Sequence, residues 1–151
     1  IKHKGKIIMT LVTVLYVLFI FSNSIKTAEQ SSAQSGNVVR MLQGVFDYFN
    51  IAVTVTSYVV RKLAHFMQFA VFGVLAGVTL RTYTKRIFVH SFVPLFFGLA
   101  AAVTDEFIQL FSDGRVGLVQ DVVLDFAGVV TGLALILTAI FLRDRHSSRI
   151  S

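Results

Sequence analysis

Side chains able to do chemistry are few in this chain and gather at the ends of apolar segments: Arg61, Lys62 and His65; Asp105, Glu106 and Gln109; Arg115; and Asp121 with Asp125. An imidazole near carboxylates is the equipment of general acid–base or nucleophilic catalysis, which makes His65, Asp105 and Glu106 the catalytic candidates. Guanidinium groups bind phosphate through paired, planar hydrogen bonds. Arg61 and Arg115, with Lys62 and Gln109, therefore form a candidate binding set for a phosphate-bearing ligand. Carboxylate oxygens suit hard cations, and Asp121 and Asp125 are candidate ligands for Mg²⁺ or Ca²⁺, together with the other acids. The same residues also have a structural reading. Their positive and negative charges nearly balance, and Arg–Asp partners can link helices where an unpaired ion is too costly to keep.

Spacing decides which of these groups can share a helix face. Arg61 and His65 are four apart, and Phe69 continues that face; Gln109 neighbours both Asp105 and Glu106, four and three residues before it. Asp121 and Asp125 share a face that runs on through Gly128 and Gly132. The GxxxG pattern of those glycines permits a close helix approach, and it offers a face through which two copies could pair.

The elements that must position these residues are membrane spans. Of 151 residues, 55% are hydrophobic and only 15% charged; soluble domains carry about a quarter charged residues. Mean hydropathy is +0.75. Apolar runs at 7–21, 58–80, 87–111 and 119–142 have lengths suited to tilted transmembrane helices. The lysines before the first run, and Ser22-Asn23-Ser24 after it, also outline a signal peptide. That run is long for the class, so it is expected to stay as a span. Pro94 is expected to kink the third span, because it removes the hydrogen bond to the His90 carbonyl. Cysteine is absent, which excludes a disulfide framework and thiolate chemistry. No P-loop, zincin or serine-elbow motif occurs.

Charge distribution sets the orientation. Lys2, Lys4, Lys6, Arg81, Lys85, Arg86, Arg143, Arg145 and Arg149 fall on one side of the predicted spans, with Asp144 the only acid there. The other side carries more acids than bases. The positive-inside rule then places both termini in the cytoplasm, which puts the candidate site at the outer face. The net charge of +6 thus answers to membrane topology and not to nucleic acid.

The first outer loop divides in two. Residues 22–37 are rich in Ser and Gln and read as a mobile loop. From Val38, the residues Met41, Leu42, Val45, Phe46 and Phe49 recur at helical spacing, as expected of an interfacial helix on the outer leaflet or a helix across the bundle mouth. The alternation from Val53 to Thr56 is too short to carry a strand. No internal repeat is present, so residues 1–151 read as one all-α membrane domain without the symmetry of a transporter.

At these positions the chain resembles the VanZ-like family of bacterial membrane proteins. The resemblance lies in Arg61-Lys62-Leu63-Ala64-His65-Phe66, Asp105-Glu106-Phe107-Ile108-Gln109, Gly114-Arg115 and Asp121-Val122-Val123-Leu124-Asp125-Phe126-Ala127-Gly128. Phe21-Ser22-Asn23-Ser24 is similar to the polar motif that closes the family's first span. Phe69, Gln68 and Asp113 depart from the Tyr, Glu and Pro frequent there. The resemblance implies a bundle of four transmembrane helices in the cell envelope, with an outward-facing charged pocket. It also implies a role in low-level resistance to the glycopeptide teicoplanin. Three functions stay open: binding or altering an envelope lipid or peptidoglycan precursor, hydrolase or transferase chemistry on a phosphate-bearing lipid, and a structural role for helix-linking ion pairs.

Overall fold

The computed structural model describes residues 2–150, with side chains from His3 to Ser147. Lys2 and Arg149, which entered the charge count, lie outside the described side chains, and Ile1 and Ser151 lie outside the described residues. Helices follow one another as α1 (Lys2–Ser24), α2 (Ala28–Tyr48), α3 (Ser57–Tyr83), α4 (Phe92–Gln109) and α5 (Val119–Ile150), with no strand among the described residues. Within α1, α3, α4 and α5, the stretches His3–Ser24, Ser57–Tyr83, Phe92–Gln109 and Val119–Ser147 are long and apolar enough to cross a membrane. The chain is a multi-pass membrane protein.

Consecutive spans alternate in direction, and side-chain contacts fix which ends meet. At one end, the Lys6 ammonium lies over the Tyr83 ring and Arg81 bonds Asp144. At the other, Ser24 of α1, His65 of α3, Asp105 of α4 and Asp125 of α5 come together.

Two helix starts differ from the sequence expectation. α2 begins at Ala28 and not at Val38, so most of the expected mobile loop is helical. Thr27 supplies the reason: its hydroxyl accepts the Gln30 N–H and the Gln30 side chain accepts the Thr27 N–H, a reciprocal cap that satisfies two donors at the helix start. α4 begins at Phe92, so Pro94 sits in its first turn, where a backbone N–H would have no helical partner in any case. There its missing N–H breaks no hydrogen bond within α4, so the cause expected for a kink does not arise. Residues 53–56 form neither strand nor helix; Gln43 of α2 bonds both the Val53 carbonyl and the Val55 N–H and holds the link extended.

The core is organised around α3 and α5, the most extensive helix pair. Phe69 is fully buried among Ile20, Phe72, Ala101, Ala102 and Val129, and a second cluster joins Leu80 and Ile87 to Leu133 and Leu137. Glycines permit the contact. A Cβ on Gly132 would stand 1.8 Å from the Ala70 carbonyl oxygen, and one on Gly128 would stand 2.4 Å from that of Phe66. The GxxxG face expected to serve self-pairing is thus covered by α3 of the same chain. Elsewhere large apolar side chains face outward, as in Leu11, Leu15, Phe96, Phe107 and Leu135, which suits a lipid surround.

Candidate functional site

The site lies at the end of the bundle where α1 and α4 stop and α3 and α5 begin. Each helix delivers its group through a local device. Thr56 caps α3 by accepting the Val59 N–H, which starts the helix two turns or so before His65. A turn closed by the Arg115 N–H and the Ser112 carbonyl reverses the chain after α4. Gly114 carries a φ of 72° in that turn, a conformation that side chains disfavour, and the reversal returns Arg115 over the bundle. The Ala28 N–H bonds the Asp113 carbonyl, and the Ser112 hydroxyl bonds the Ser24 carbonyl, so the α1–α2 junction is tied to this turn.

Acidic groups occupy the deep part of the site. Asp105 is fully buried, accepts the Ser24 hydroxyl at 2.5 Å and the Gln109 amide at 2.9 Å, and lies 3.7 Å from His65 Nδ1. Asp125 is 1% exposed and lies 3.9 Å from the same imidazole nitrogen, yet neither of its carboxylate oxygens has a hydrogen-bond partner among the described residues. Glu106 is also buried, but it points to the start of α5. Its Oε1 accepts the Leu118 N–H at 2.6 Å, where a carboxylate complements the positive helix terminus, while Oε2 is left unpartnered. That contact removes Glu106 from the imidazole and gives it a structural use.

Basic groups form a layer above. Arg61, His65 and Arg115 line two cavities in common. One, of about 150 Å³, is completed by Tyr58, Lys62, Gln109, Asp121 and Asp125 among others. The second, of about 320 Å³, adds Asn23, Lys26, Gln34 and Gln68 and has no carboxylate in its wall. Among the described residues Arg61 reaches only the Ser32 hydroxyl, at 3.5 Å. Burial and the adjacent Arg61 pull the Arg115 guanidinium below its ordinary value, although an arginine remains cationic. Neither guanidinium forms an ion pair among the described residues.

The expected web of Arg–Asp helix links is therefore replaced by segregated layers. One cross-helix pair does form at this end, between Lys62 of α3 and Asp121 of α5, with Lys62 also over the Tyr58 ring. Both groups are thereby engaged with each other. Lys62 is already neutralised and is a weaker candidate for binding an anion. Asp121 is turned to Lys62, and the donor atoms near enough to share an ion are those of His65, Asp105 and Asp125, all within 4.8 Å of one another. Residue spacing describes one helix at a time, and so divides these three between catalysis and metal binding. Ser24 and Lys26 were not among its site residues. Ser24 had a signal, the polar end of an otherwise apolar span, but its carboxylate partner is 81 residues away.

A separate apolar groove of about 630 Å³ runs along the bundle between α1, α3 and α4, from Thr10 and Tyr83 to Phe21 and Thr104. It follows from the limited packing between α1 and α4.

Residues 8–142 match the VanZ/LLP1 family. Among curated proteins and among solved structures, none matches the chain.

Proposed function

The chain belongs to the VanZ/LLP1 family, and on that premise we propose that the basic layer binds the anionic, phosphate-bearing headgroup of an envelope component, either a lipid or a peptidoglycan precursor. The observation that carries this reading is the pair of arginines. Arg61 and Arg115 face two shared cavities without carboxylate partners, and one of those cavities has no acid in its wall. Like charges are held close together only at a cost, which a bound anion relieves with several charge-assisted hydrogen bonds. The apolar groove beside α1 offers room for an acyl or prenyl chain.

In this proposal residues 1–151 act as a single domain of the bacterial cytoplasmic membrane, and the site faces outward. The basic end that holds Lys6, Arg81 and Arg145 then lies in the cytoplasm by the positive-inside rule. The uneven charge of the two ends supports that orientation. A headgroup held at the outer face would change how a glycopeptide such as teicoplanin meets its target.

The test is a binding titration by native mass spectrometry in neutral detergent, with phosphatidic acid, a polyprenyl phosphate, phosphatidylcholine and inorganic phosphate as probes. Preference for both phosphomonoester lipids over phosphatidylcholine, lost in Arg61→Ala/Arg115→Ala, supports the proposal. Saturation by inorganic phosphate alone would place recognition in the anion and not in the lipid. Equal binding of all lipids by both proteins sinks it.

One observation favours a second, enzymatic reading. His65 stands in the wall of both cavities with Asp105 at 3.7 Å and Asp125 at 3.9 Å from its Nδ1, so an imidazole with two carboxylates close by faces the proposed headgroup position. A hydrolase or transferase converts envelope lipid extract to a new product, visible by mass spectrometry with wild type and lost in His65→Ala. Persistence of the product in that variant removes the reading.

A further inference from the structure

The deep layer holds buried carboxylates that the basic layer above it faces only from beyond ion-pair distance among the described residues. Asp105 and Asp125 are buried with their carboxylates close together, and no Lys or Arg nitrogen approaches either within ion-pair distance among the described residues. Asp125 is the sharper case, because both of its oxygens lack any hydrogen-bond donor while one is aimed at His65. A carboxylate stripped of water and left without donors is among the most unfavourable arrangements a folded chain can hold. A cation held between these groups would relieve that cost.

We propose that His65, Asp105 and Asp125 are the protein ligands of a divalent cation. Two atoms bound to one ion at about 2.1 Å each lie roughly 3–4 Å apart. The imidazole nitrogen stands 3.7 Å from the Asp105 oxygen and 3.9 Å from the Asp125 oxygen, within that range. A doubly charged ion balances the two carboxylates with a neutral imidazole, so the buried site becomes neutral. Asp105 also has the outer support that metal ligands need: the Ser24 hydroxyl and the Gln109 amide fix both of its oxygens in place. Asp125 has no such support, and the ion itself is its partner. A mixed nitrogen and oxygen donor set suits Mn²⁺ or Zn²⁺ better than Ca²⁺, which takes oxygen ligands. Entry is from the polar cavity that His65 and Asp125 both line, where further positions on the ion stay open to water or ligand oxygen.

The experiment uses the full chain in detergent, stripped with EDTA and dialysed against MnCl₂ alone, with electron paramagnetic resonance as the readout. The expected result is about one bound Mn²⁺ per chain, as a single three-ligand set requires, with nitrogen coupling from a coordinated imidazole. Wild type alone gives this answer, so no variant needs to fold. In variants that keep a single size-exclusion peak, Ser24→Ala weakens binding by roughly 10–100-fold, the usual loss for an outer-shell partner, and Asp125→Asn weakens it further. Asp144→Asn, at the opposite end of the bundle, leaves it unchanged. Absence of bound Mn²⁺ in wild type overturns the proposal, as does bound Mn²⁺ without nitrogen coupling. An equal loss in Asp144→Asn and Asp125→Asn overturns it too, because the overall negative charge of the chain would then be responsible. Metal content is read without any lipid, so this result is independent of the headgroup titration.

Discussion

The two ends of the bundle are both charged, yet they handle charge in opposite ways. At the Tyr83 end, Arg81 and Asp144 meet at 2.6 Å with side chains 30% and 51% exposed, and Lys6 and Arg145 rest over aromatic rings. Those charges are at hand for water and paired where convenient. At the Ser24 end, Asp105, Glu106 and Asp125 are buried, and Arg61 and Arg115 are held above them without ion-pair partners among the described residues. Charge near a helix end is ordinary in a membrane protein, because long basic side chains reach the interface at little cost. What sets one end apart is charge that is both withdrawn from water and left unpartnered. An arrangement of that kind has to be held by the rest of the fold, in which the most extensive helix contact is the glycine-lined approach of α3 and α5.

That dependence gives the largest effect expected of a single substitution. Gly132→Ala places a methyl carbon against the Ala70 carbonyl, a backbone atom that cannot step aside. It should cost about 3 kcal/mol, at the upper end for overpacking, in reversible unfolding of the detergent-solubilised protein. Unchanged stability would mean that the α3–α5 approach does not hold the site together.

Next comes Ser24→Ala, which leaves buried Asp105 with one donor fewer and should cost about 1–3 kcal/mol by the same measurement. An effect below 0.5 kcal/mol, roughly the lower bound for any net hydrogen bond, would make the Ser24 end no more demanding than the other. Arg115→Ala should lower affinity for phosphatidic acid by about tenfold, the loss of one or two charge-assisted hydrogen bonds, as read from the native mass spectrometry titration. The smallest effect belongs to Arg81→Ala. Its exposed pair should be worth less than about 1 kcal/mol, with no change in lipid affinity. A large loss of lipid binding there would erase the distinction between the ends.

Much of the architecture was legible because a span announces itself locally. A run such as Ile7 to Phe21 needs no partner to be recognised: its length with its flanks and its lack of charge suffice, and four such helices are present among the described residues. The starts of α2 and α4 were harder. Thr27 and Gln30 form their cap inside a polar stretch whose composition reads as loop, and Pro94 was set in mid-span when it belongs to a first turn. Composition averages over residues, whereas a cap depends on two side chains meeting two N–H groups.

The site divides in the same way. Sequence by itself determined that few ionisable groups would stand at membrane depth, that they would fall at one end of the spans, and which of them share a helix face. Those are consequences of helical rise and of the cost of burying charge. Only the tertiary structure decided the partners. It gave Asp121 to Lys62, Glu106 to the start of α5 and Gly132 to Ala70, and it left His65, Asp105 and Asp125 together around a common space. Pairings of that kind join residues tens of positions apart and turn on a few tenths of an ångström between helices, so no rule of spacing along one chain can contain them.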